Sequence, residues 1–308
     1  MVNEMRRIDV GDDEANELLN RAGLASVNTM KILQGGWDNT NILLTLTDDS
    51  KVVLKVWNAN TIEEVRRVVS RHCHLHEHGI PTAVPIEFLD GDLVVERGGM
   101  AWTILPFVEG GMLGTDEESL KSLGETLAHL QQIPTTDCFP EDYRMGWSLF
   151  ERMYAMADES GVWNDFLVSL KEESTKLHGQ ILEDLPQGIL HGDLFPDNVI
   201  GDGYVAAILD LEEAFIGPCA FDLVMAFVGF GWNDGAPVPE RWKALLEGYE
   251  SIRPLSRQEK DSLPALHKYA TLSIAAWRYW KHVMSEPDET LAGRYFEMFG
   301  RLEQEVIF

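Results

Sequence analysis

Three polar side chains in the middle of the chain have the types and spacing that chemistry requires. His191, Asp193 and Asn198 lie in a polar loop between two short apolar runs, residues 189–190 and 199–200, which are typical of buried strands. The spacing His-x-Asp-x-x-x-x-Asn suits the transfer of a phosphoryl group to an alcohol. The carboxylate orients the attacking hydroxyl and accepts its proton, and the neutral amide oxygen can reach a metal ion without adding charge. We therefore predict that Asp193 and His191 are catalytic.

A second carboxylate, Asp210, follows a third apolar run at residues 206–209. Gly201-Asp202-Gly203 precedes that run and is typical of a hairpin turn. Such a hairpin would bring Asp210 beside Asn198, where two oxygen ligands can share a hard cation such as Mg²⁺. The alternative is that Asp193 and Asp210 only cap strand ends and turns. One capping Asp is common, but a spaced set of Asp, Asn and Asp is not.

The same residues resemble a known family. His191-Gly192-Asp193 with Asn198, and then Ile208-Leu209-Asp210, are similar to the motif of the aminoglycoside phosphotransferase and choline kinase superfamily. The stretch H-G-D-L-F-P-D-N-V most resembles the kinase-like (type II) homoserine kinases. The resemblance implies an α+β, bilobal, protein-kinase-like fold, with ATP and Mg²⁺ as cofactors and a small-molecule hydroxyl as acceptor. Those enzymes usually carry aromatic residues after the metal-binding Asp, where this chain has Leu211-Glu212-Glu213.

A glycine-containing loop near the N-terminus has the position of a phosphate-covering loop. It lies between two predicted strands, residues 30–33 and 42–47. Gly35 and Gly36 would let backbone N–H groups approach the phosphates of a nucleotide. The same stretch is equally well explained as an ordinary hairpin turn. The resemblance implies that Gly36 and Asn39 contribute to nucleotide binding, and we include Gly35 with them.

The next predicted strand, residues 52–57, carries Lys55 among apolar residues. A buried lysine is costly unless it meets an anion, so we predict that Lys55 contacts the α- and β-phosphates of ATP. The alternative is a lysine on an edge strand whose ammonium reaches solvent. The kinase pattern also requires a Glu on the following helix to pair with this lysine, and the resemblance favours Glu64. Thr61 and Glu64 also form a capping-box pattern, which gives Glu64 a competing structural role.

The apolar run that follows Ala101 breaks into Pro and Gly residues, which suggests a hinge between two lobes. We predict a nucleotide-binding N-lobe at residues 1–107, with an antiparallel sheet and one important helix. A larger, mainly helical C-lobe at residues 108–308 would hold the catalytic and substrate-binding residues. The resemblance implies that backbone groups near Leu105 and Phe107 bind adenine.

Local patterns predict further elements. We expect a helix within residues 1–30 that stops at Gly23, and two short strands within residues 84–97. A helix at residues 115–133 has a capping-box pattern that begins at Thr115.

Alternating histidines at residues 72–78 suggest a metal site. On a helix, however, side chains two positions apart face different sides. A surface helix, with at most adventitious zinc, is therefore favoured.

Substrate-contacting residues are less clearly marked. Glu212 and Glu213 follow Asp210 and could hold a substrate amine, although solvated charge explains them equally well. Arg278 lies on a predicted core helix and could bind the carboxylate of an amino-acid substrate. Asp222 is predicted to cap an apolar helix and to orient the catalytic loop.

Composition excludes several classes of protein. The 308 residues are 45% hydrophobic, which indicates a globular chain. No apolar run approaches the roughly 18 residues of a membrane span. The chain carries 25 Lys and Arg against 51 Asp and Glu, a net charge of −26, which repels nucleic acid and anionic membranes. Such a surface would attract cationic small molecules or Mg²⁺, but solubility or a saline habitat explains the same charge.

Cellular location is indicated by two features. The N-terminus lacks the apolar segment of a secretion signal, so no export is expected. Three widely spaced cysteines suggest reduced thiols in a cytoplasmic protein rather than disulfides or a zinc site. The sequence gives no oligomeric state.

Together these patterns predict an ATP-dependent phosphotransferase that moves the γ-phosphate to a hydroxyl of a small molecule. An amino acid or amino alcohol, homoserine first, is favoured by the resemblance. The alternative is an aminoglycoside or a choline- or ethanolamine-type amine, favoured by the acidic surface. A non-catalytic nucleotide-binding protein is a further alternative. Such a protein would not need Lys55, Asp193, Asn198 and Asp210 together.

Overall fold

The computed structural model describes residues 10–33, 39–182 and 184–308. The described chain divides into two compact units. Unit 1 runs to Gly110 and also contains Ala206–Leu211, and unit 2 contains Gly111–Val205 and Glu212–Phe308. The segment that carries Asp210 is thus grouped with the N-terminal part, and the division at residue 108 stays a prediction. The nucleotide-binding and catalytic roles of the two parts stay predictions.

Unit 1 is built on an antiparallel sheet. Its strands within the described residues are β1 (Val27–Ile32), β2 (Thr40–Leu46), β3 (Lys51–Trp57), β4 (Val95–Arg97) and β5 (Met100–Pro106). They lie in the order β1-β2-β3-β5-β4. β2 alternates between buried and half-buried residues, which is the period of a strand with one face on a core. Residues 34–38, with the predicted phosphate-binding Gly35 and Gly36, lie outside the described residues.

The described helices of unit 1 are α1 (Asp12–Arg21) and α2 (Ile62–Glu77). α1 buries Leu18 and Leu19 in the same core as the apolar residues of the sheet. The capping box at the start of α2 is confirmed. The Thr61 hydroxyl accepts from the backbone N–H of Glu64, and the Glu64 carboxylate accepts from the backbone N–H of Thr61 at 2.7 Å. These two bonds satisfy N–H groups that have no partner within the helix.

Of two local predictions for unit 1, the helix that stops at Gly23 is confirmed, and the pair of strands within residues 84–97 is wrong in part. In the described part of residues 1–30, the helix is limited to α1. Gly23 adopts a φ of 68°, which ends the helix, and β1 begins soon after. Residues 84–97 are all described and contain β4, but the predicted strand before it does not form. Pro85 lies in that stretch and cannot donate a ladder hydrogen bond.

Unit 2 is mostly helical. Its helices within the described residues are α3 (Glu117–Leu130), α4 (Trp147–Ser160), α5 (Asp165–Leu177), α6 (Ala220–Phe230), α7 (Pro239–Ile252), α8 (Arg257–Tyr279) and α9 (Arg294–Gly300). The remaining described strands of the chain are β6 (Gly111–Met112), β7 (Gln187–Leu190), β8 (Val199–Gly201), β9 (Val205–Ile208), β10 (Phe215–Pro218), β11 (Trp232–Asn233) and β12 (Ala236–Pro237). β7 pairs antiparallel with β10, and β6 with β8. Strands were predicted on both sides of the catalytic loop and before Asp210, and β7, β8 and β9 are those strands.

The start of α3 differs from the prediction. Asp116, rather than Thr115, is the residue that caps this helix. Its carboxylate accepts from the backbone N–H of Ser119 at 3.0 Å. A carboxylate is also favoured at this end of a helix by the helix dipole. The capping-box pattern therefore identified the right turn of the chain but the wrong residue.

The helix that positions the catalytic loop is α6. It is buried on all sides, which is the pattern of a core helix, and only Gly229 within it is half-buried. A Cβ atom at Gly229 would lie 2.2 Å from the backbone oxygen of Leu194. Glycine is therefore required for the loop backbone to pack directly on this helix.

Candidate active site

The loop between β7 and β8 brings Asp193 and Asn198 into contact. Asn198 donates from Nδ2 to the backbone oxygen of Asp193 at 2.7 Å and to its carboxylate oxygen Oδ2 at 3.1 Å. Asn198 is only 7% exposed, so these bonds hold the amide in one orientation. Both bonds use the amide nitrogen, and the amide oxygen therefore faces away from Asp193, where it can meet a cation.

Asp222 anchors the same loop from α6. Its carboxylate accepts from the backbone N–H of His191 at 2.5 Å and of Gly192 at 3.0 Å. Burial raises the pKa of Asp222 to about 7, although the two backbone N–H groups act in the opposite direction. Asp222 is the third residue of α6, and its carboxylate bonds to the loop. The prediction that it orients the loop is right, and the prediction that it caps the helix is wrong.

His191 shapes the loop from within. It is fully buried, and its Nδ1 accepts from the backbone N–H of Asp193 at 3.2 Å. Nδ1 therefore carries no proton, and in the neutral ring the proton lies on Nε2. This bond fixes the backbone that carries the Asp193 carboxylate.

Tyr143 supports the loop at Gly192. The phenol of Tyr143 donates to the backbone oxygen of Gly192 at 2.7 Å. The Tyr143 ring stacks on Phe215 with ring centres 4.6 Å apart. Gly192 has a φ of 80°, and a Cβ there would lie 2.8 Å from the backbone oxygen of Glu213. Both the backbone conformation and the close approach require glycine.

The predicted amine-binding residues, Glu212 and Glu213, are both half-buried. Glu213 pairs with Arg144, whose Nη2 lies 3.1 Å from Oε1. The Glu213 side chain is 13% exposed, so this carboxylate is not a simple solvated charge. Glu213 is therefore a partly buried anion close to the catalytic loop, since its backbone oxygen packs against Gly192.

Arg278 lies on α8 and is 8% exposed. Its guanidinium carbon lies 5.9 Å from the centre of the Phe195 ring, two residues after Asp193. Nη1 donates to Glu297 at 3.0 Å. Burial lowers the pKa of Arg278, while the charges of Glu297 and Asp193 act in the opposite direction. The charge of Asp193 thus stabilises the buried guanidinium of Arg278.

Lys55 and Asp210 form an ion pair within unit 1. Lys55 is 4% exposed, and its Nζ donates to Oδ1 of Asp210 at 2.7 Å. The ammonium also lies 3.9 Å from the centre of the Trp57 ring. Because β3 lies between β2 and β5 in the sheet, the alternative of an edge-strand lysine is wrong. A buried cation on a central strand is paired with an anion, as the cost of burial requires.

Other residues predicted to bind the nucleotide also belong to unit 1. Asn39 accepts from the backbone N–H of Asn58 at 3.1 Å. Leu105 pairs with Val53 in the ladder between β5 and β3, and Phe107 follows the end of β5. The capping box that competes for Glu64 is present, and the pairing of Glu64 with Lys55 stays a prediction. The roles of Asn39, Leu105 and Phe107 also stay predictions.

The oxygen donors predicted for a metal fit Mg²⁺ by their chemistry. Carboxylate and amide oxygens are hard ligands, and Mg²⁺ is usually bound by one or two carboxylates together with phosphate oxygens and water. In the described part of the chain, no three His, Cys, Asp or Glu lie where they could hold a metal together. An all-protein cage is not what Mg²⁺ requires, and the metal-binding roles of Asp210 and Asn198 stay predictions.

Sequence reasoning missed two residues that support the loop, Tyr143 and Arg144. Tyr143 contacts Gly192 from 49 residues away in sequence, and Arg144 next to it contacts Glu213. No periodic or motif signal marks either residue. The only hint is that an aromatic residue and an arginine lie in the polar stretch before α4.

Comparison with known proteins identifies the class. Residues 29–255 match the phosphotransferase enzyme family, and the chain belongs to that family. It is 29% identical over 283 residues to a homoserine kinase of Agrobacterium fabrum, covering 88% of this chain and 86% of that relative. It is 27% identical over 292 residues to a homoserine kinase of Rhizobium meliloti, covering 91% and 87%.

Solved structures show the same fold. A spectinomycin phosphotransferase in complex with ADP and spectinomycin matches with a TM-score of 0.69 and 18% identity, covering 96% of this chain and 95% of that one. A microcompartment-associated aminopropanol kinase matches with a TM-score of 0.68 and 18% identity, covering 94% of each chain. The α+β, kinase-like fold and the family resemblance are therefore confirmed. The chain is an ATP-dependent small-molecule kinase.

None of the described helices combines the length and apolar character that crossing a membrane requires.

Proposed function

We propose that this kinase transfers the γ-phosphate of ATP to the side-chain hydroxyl of homoserine. The observation that carries the proposal is the contact between Asp193 and Asn198, which leaves one carboxylate beside an amide oriented for a cation. The similarity to homoserine kinases over most of both chains supports the choice of substrate. The reaction takes place in the cytoplasm, where the buried thiol of Cys219 stays reduced.

In this proposal Asp193 orients the attacking hydroxyl and accepts its proton. His191 fixes the backbone of Asp193 through the bond to its N–H group. Asn198 and Asp210 supply oxygen ligands for Mg²⁺. When bound, Mg²⁺ neutralises the charge of the phosphate oxygens. Lys55 contacts the phosphates.

The remaining nucleotide contacts come from residues named by the resemblance. Gly35, Gly36 and Asn39 contact the phosphates through the loop after β1. Backbone groups of Leu105 and Phe107 bind adenine at the end of β5. Glu64 pairs with Lys55.

The two charged groups of homoserine require opposite partners. Arg278 binds the carboxylate, because it is a buried guanidinium on the side of the loop that carries Asp193 and Phe195. Glu212 and Glu213 hold the ammonium. Their half-buried positions make them more effective than solvated carboxylates, since a charge pair is stronger away from water.

The test is a coupled assay of ADP release with a set of candidate acceptors. Homoserine is compared with choline, ethanolamine, kanamycin-type amines and sugars. We expect turnover to be highest with homoserine. Turnover highest with choline or a kanamycin-type amine would support the alternative kinase that the net charge of −26 favours. ATP binding without turnover of any acceptor would support a non-catalytic nucleotide-binding protein.

A substrate pair tests the role of Arg278. 3-Amino-1-propanol is homoserine without its carboxylate. Arg278→Met should raise the KM for homoserine about 10- to 100-fold, since hydrogen bonds to charged groups contribute about 1.5–3 kcal/mol. The KM for 3-amino-1-propanol should stay unchanged. Arg257→Met is the matched control, because Arg257 lies on the same helix with its side chain 94% exposed. An equal change of KM for both acceptors would contradict the role.

A further inference from the structure

Asp210 has a backbone conformation that its surroundings must maintain. Its φ is 55°, in the left-handed region, which few residues other than glycine adopt. A backbone in this region is strained and persists only where neighbouring contacts determine it. The residues that bond to the chain on either side of Asp210 therefore control where its carboxylate points.

The residue after Asp210 is bonded to helix α2. Arg71 is 6% exposed, and its Nη1 donates to the backbone oxygen of Leu211 at 2.7 Å. A guanidinium keeps its charge at any ordinary pH, and it is a donor only. This buried bond therefore fixes the carbonyl group of the residue that follows the strained one.

The strand before Asp210 is bonded to the end of α2 and the loop after it. Thr82 donates its hydroxyl proton to the backbone oxygen of Ile208 at 2.9 Å. The same hydroxyl lies 2.7 Å from Nδ1 of His72. Because a hydroxyl has a single proton, Nδ1 of His72 must be the donor in the second bond. Pro81 completes the set by accepting from the backbone N–H of Ile208 at 2.9 Å.

We propose that Arg71 and His72, acting with Thr82, are positioning residues that fix Asp210 for metal binding. The inference rests on the proposed function in one respect, namely that Asp210 is a ligand of Mg²⁺. The bonds reach backbone oxygens on both sides of Asp210, so they set its conformation without occupying its carboxylate. α2 thereby acts on Asp210 and, through the ion pair, on Lys55.

The variants remove one donor each and keep most of the side-chain volume. Arg71→Met removes the donor to Leu211 and keeps part of the apolar stem. Thr82→Val replaces the hydroxyl by a methyl group and breaks both of its bonds. Arg67→Met is the matched control, because Arg67 lies on the same helix, is 55% exposed and pairs with Glu63 four residues before it.

Metal affinity is measured directly, with Mn²⁺ as the probe and a non-hydrolysable ATP analogue present, by electron paramagnetic resonance of the unbound ion. We expect about tenfold weaker Mn²⁺ binding in Arg71→Met, which loses a buried hydrogen bond, and about three- to tenfold weaker binding in Thr82→Val, which loses two partly buried ones. Arg67→Met should bind like the unchanged chain. Metal-free binding of the analogue should be unchanged in all three.

Asp210→Asn separates this inference from the proposed function. If Asp210→Asn binds Mn²⁺ as tightly as the unchanged chain, Asp210 is not a metal ligand. The proposed metal site and the positioning role are then both contradicted. If Asp210→Asn binds weakly while folded Arg71→Met and Thr82→Val bind normally, the positioning role alone is overturned. Thermal melting establishes that each variant is folded, and Thr82→Val decides the question if Arg71→Met is not. Equal weakening in Arg67→Met would also overturn the role, because it would reflect a general effect on α2.

Discussion

Two segments of the chain carry the carboxylates that the sequence singled out, and their backbones are held by opposite chemistry. The segment of Asp193 is anchored by the buried carboxylate of Asp222, which accepts from two backbone N–H groups. The segment of Asp210 is anchored by Arg71 and Thr82, which donate to backbone oxygens. In each case side chains from a helix or an adjacent loop bond to peptide groups that regular secondary structure leaves open.

The groups that anchor the two segments respond differently to pH. A carboxylate can be protonated, and burial raises the pKa of Asp222 to about 7. A guanidinium and a hydroxyl keep their state across the same range of pH. The carboxylate that anchors Asp193 can therefore change its charge near neutral pH, whereas the two groups that donate to the backbone on either side of Asp210, from Arg71 and Thr82, do not.

The largest effect should come from removing one carboxylate at a time. Asp193→Asn should lower kcat by about 10²–10⁴-fold and leave nucleotide affinity nearly intact, because a positioned base acts in the transition state. Asp210→Ala should instead abolish Mg²⁺-dependent nucleotide binding. Steady-state kinetics and titration calorimetry check the two results. Unchanged turnover in Asp193→Asn would remove the proposed base, and loss of nucleotide affinity there would remove the contrast between the segments.

Local patterns were sufficient for the elements that carry the motifs. The strands on both sides of the catalytic loop could be predicted because short apolar runs bracket a polar stretch. The capping box before α2 was recognised because both of its partners lie within one helical turn. Where a better cap stood one position further on, at Asp116, the same rule chose Thr115. The predicted strand before β4 failed because Pro85 interrupts it.

The supports of the site could not be predicted in the same way. Tyr143 and Arg71 reach their partners from 49 and 140 residues away. Such contacts depend on how elements pack, and a single sequence contains no local signal for them. The lysine on β3 is an intermediate case. Its buried position made an anion necessary, but only the fold shows that Asp210 supplies it.

The pH dependence of stability should distinguish the two anchors. An unfolded Asp ionises near pH 4, and Asp222 in the folded chain ionises near pH 7, because burial raises its pKa. Between these values the folded state holds more protons at this group than the unfolded state does. The contribution of Asp222 to the free energy of unfolding should therefore fall as pH rises from about 4 to about 7, by up to about 1.4 kcal/mol per pH unit.

Urea unfolding at several pH values, compared between the unchanged chain and Asp222→Asn, isolates this contribution. The difference in stability between the two should vary with pH over that range. His267, whose pKa is lowered to about 4 by burial, contributes with the opposite sign over this range, but its contribution cancels in the comparison because both chains carry it. Arg71→Met should show the same pH dependence as the unchanged chain, because a guanidinium keeps its charge over this range. A pH-independent difference for Asp222→Asn would contradict the comparison.

The smallest effect should come from the hydrogen bond between the buried phenol of Tyr143 and the backbone oxygen of Gly192. Tyr143→Phe removes the donor to Gly192 and keeps the ring that stacks on Phe215. A buried acceptor left without its partner costs about 1–3 kcal/mol, so chemical unfolding should show a loss of that size. Since Gly192 immediately precedes Asp193, we also expect kcat to fall a few-fold with the KM for ATP unchanged.

Tyr154→Phe is the matched control for this prediction. It loses a hydroxyl bond of 3.0 Å to Ser174 between α4 and α5, with no contact to the loop. It should therefore reduce stability by a similar or smaller amount and leave kcat unchanged. Tyr143→Phe could instead lose stability without any loss of kcat. The bonds from Asp222 to the backbone N–H groups would then be sufficient to place Asp193. Donors to backbone oxygens would matter for the segment of Asp210 but not for that of Asp193.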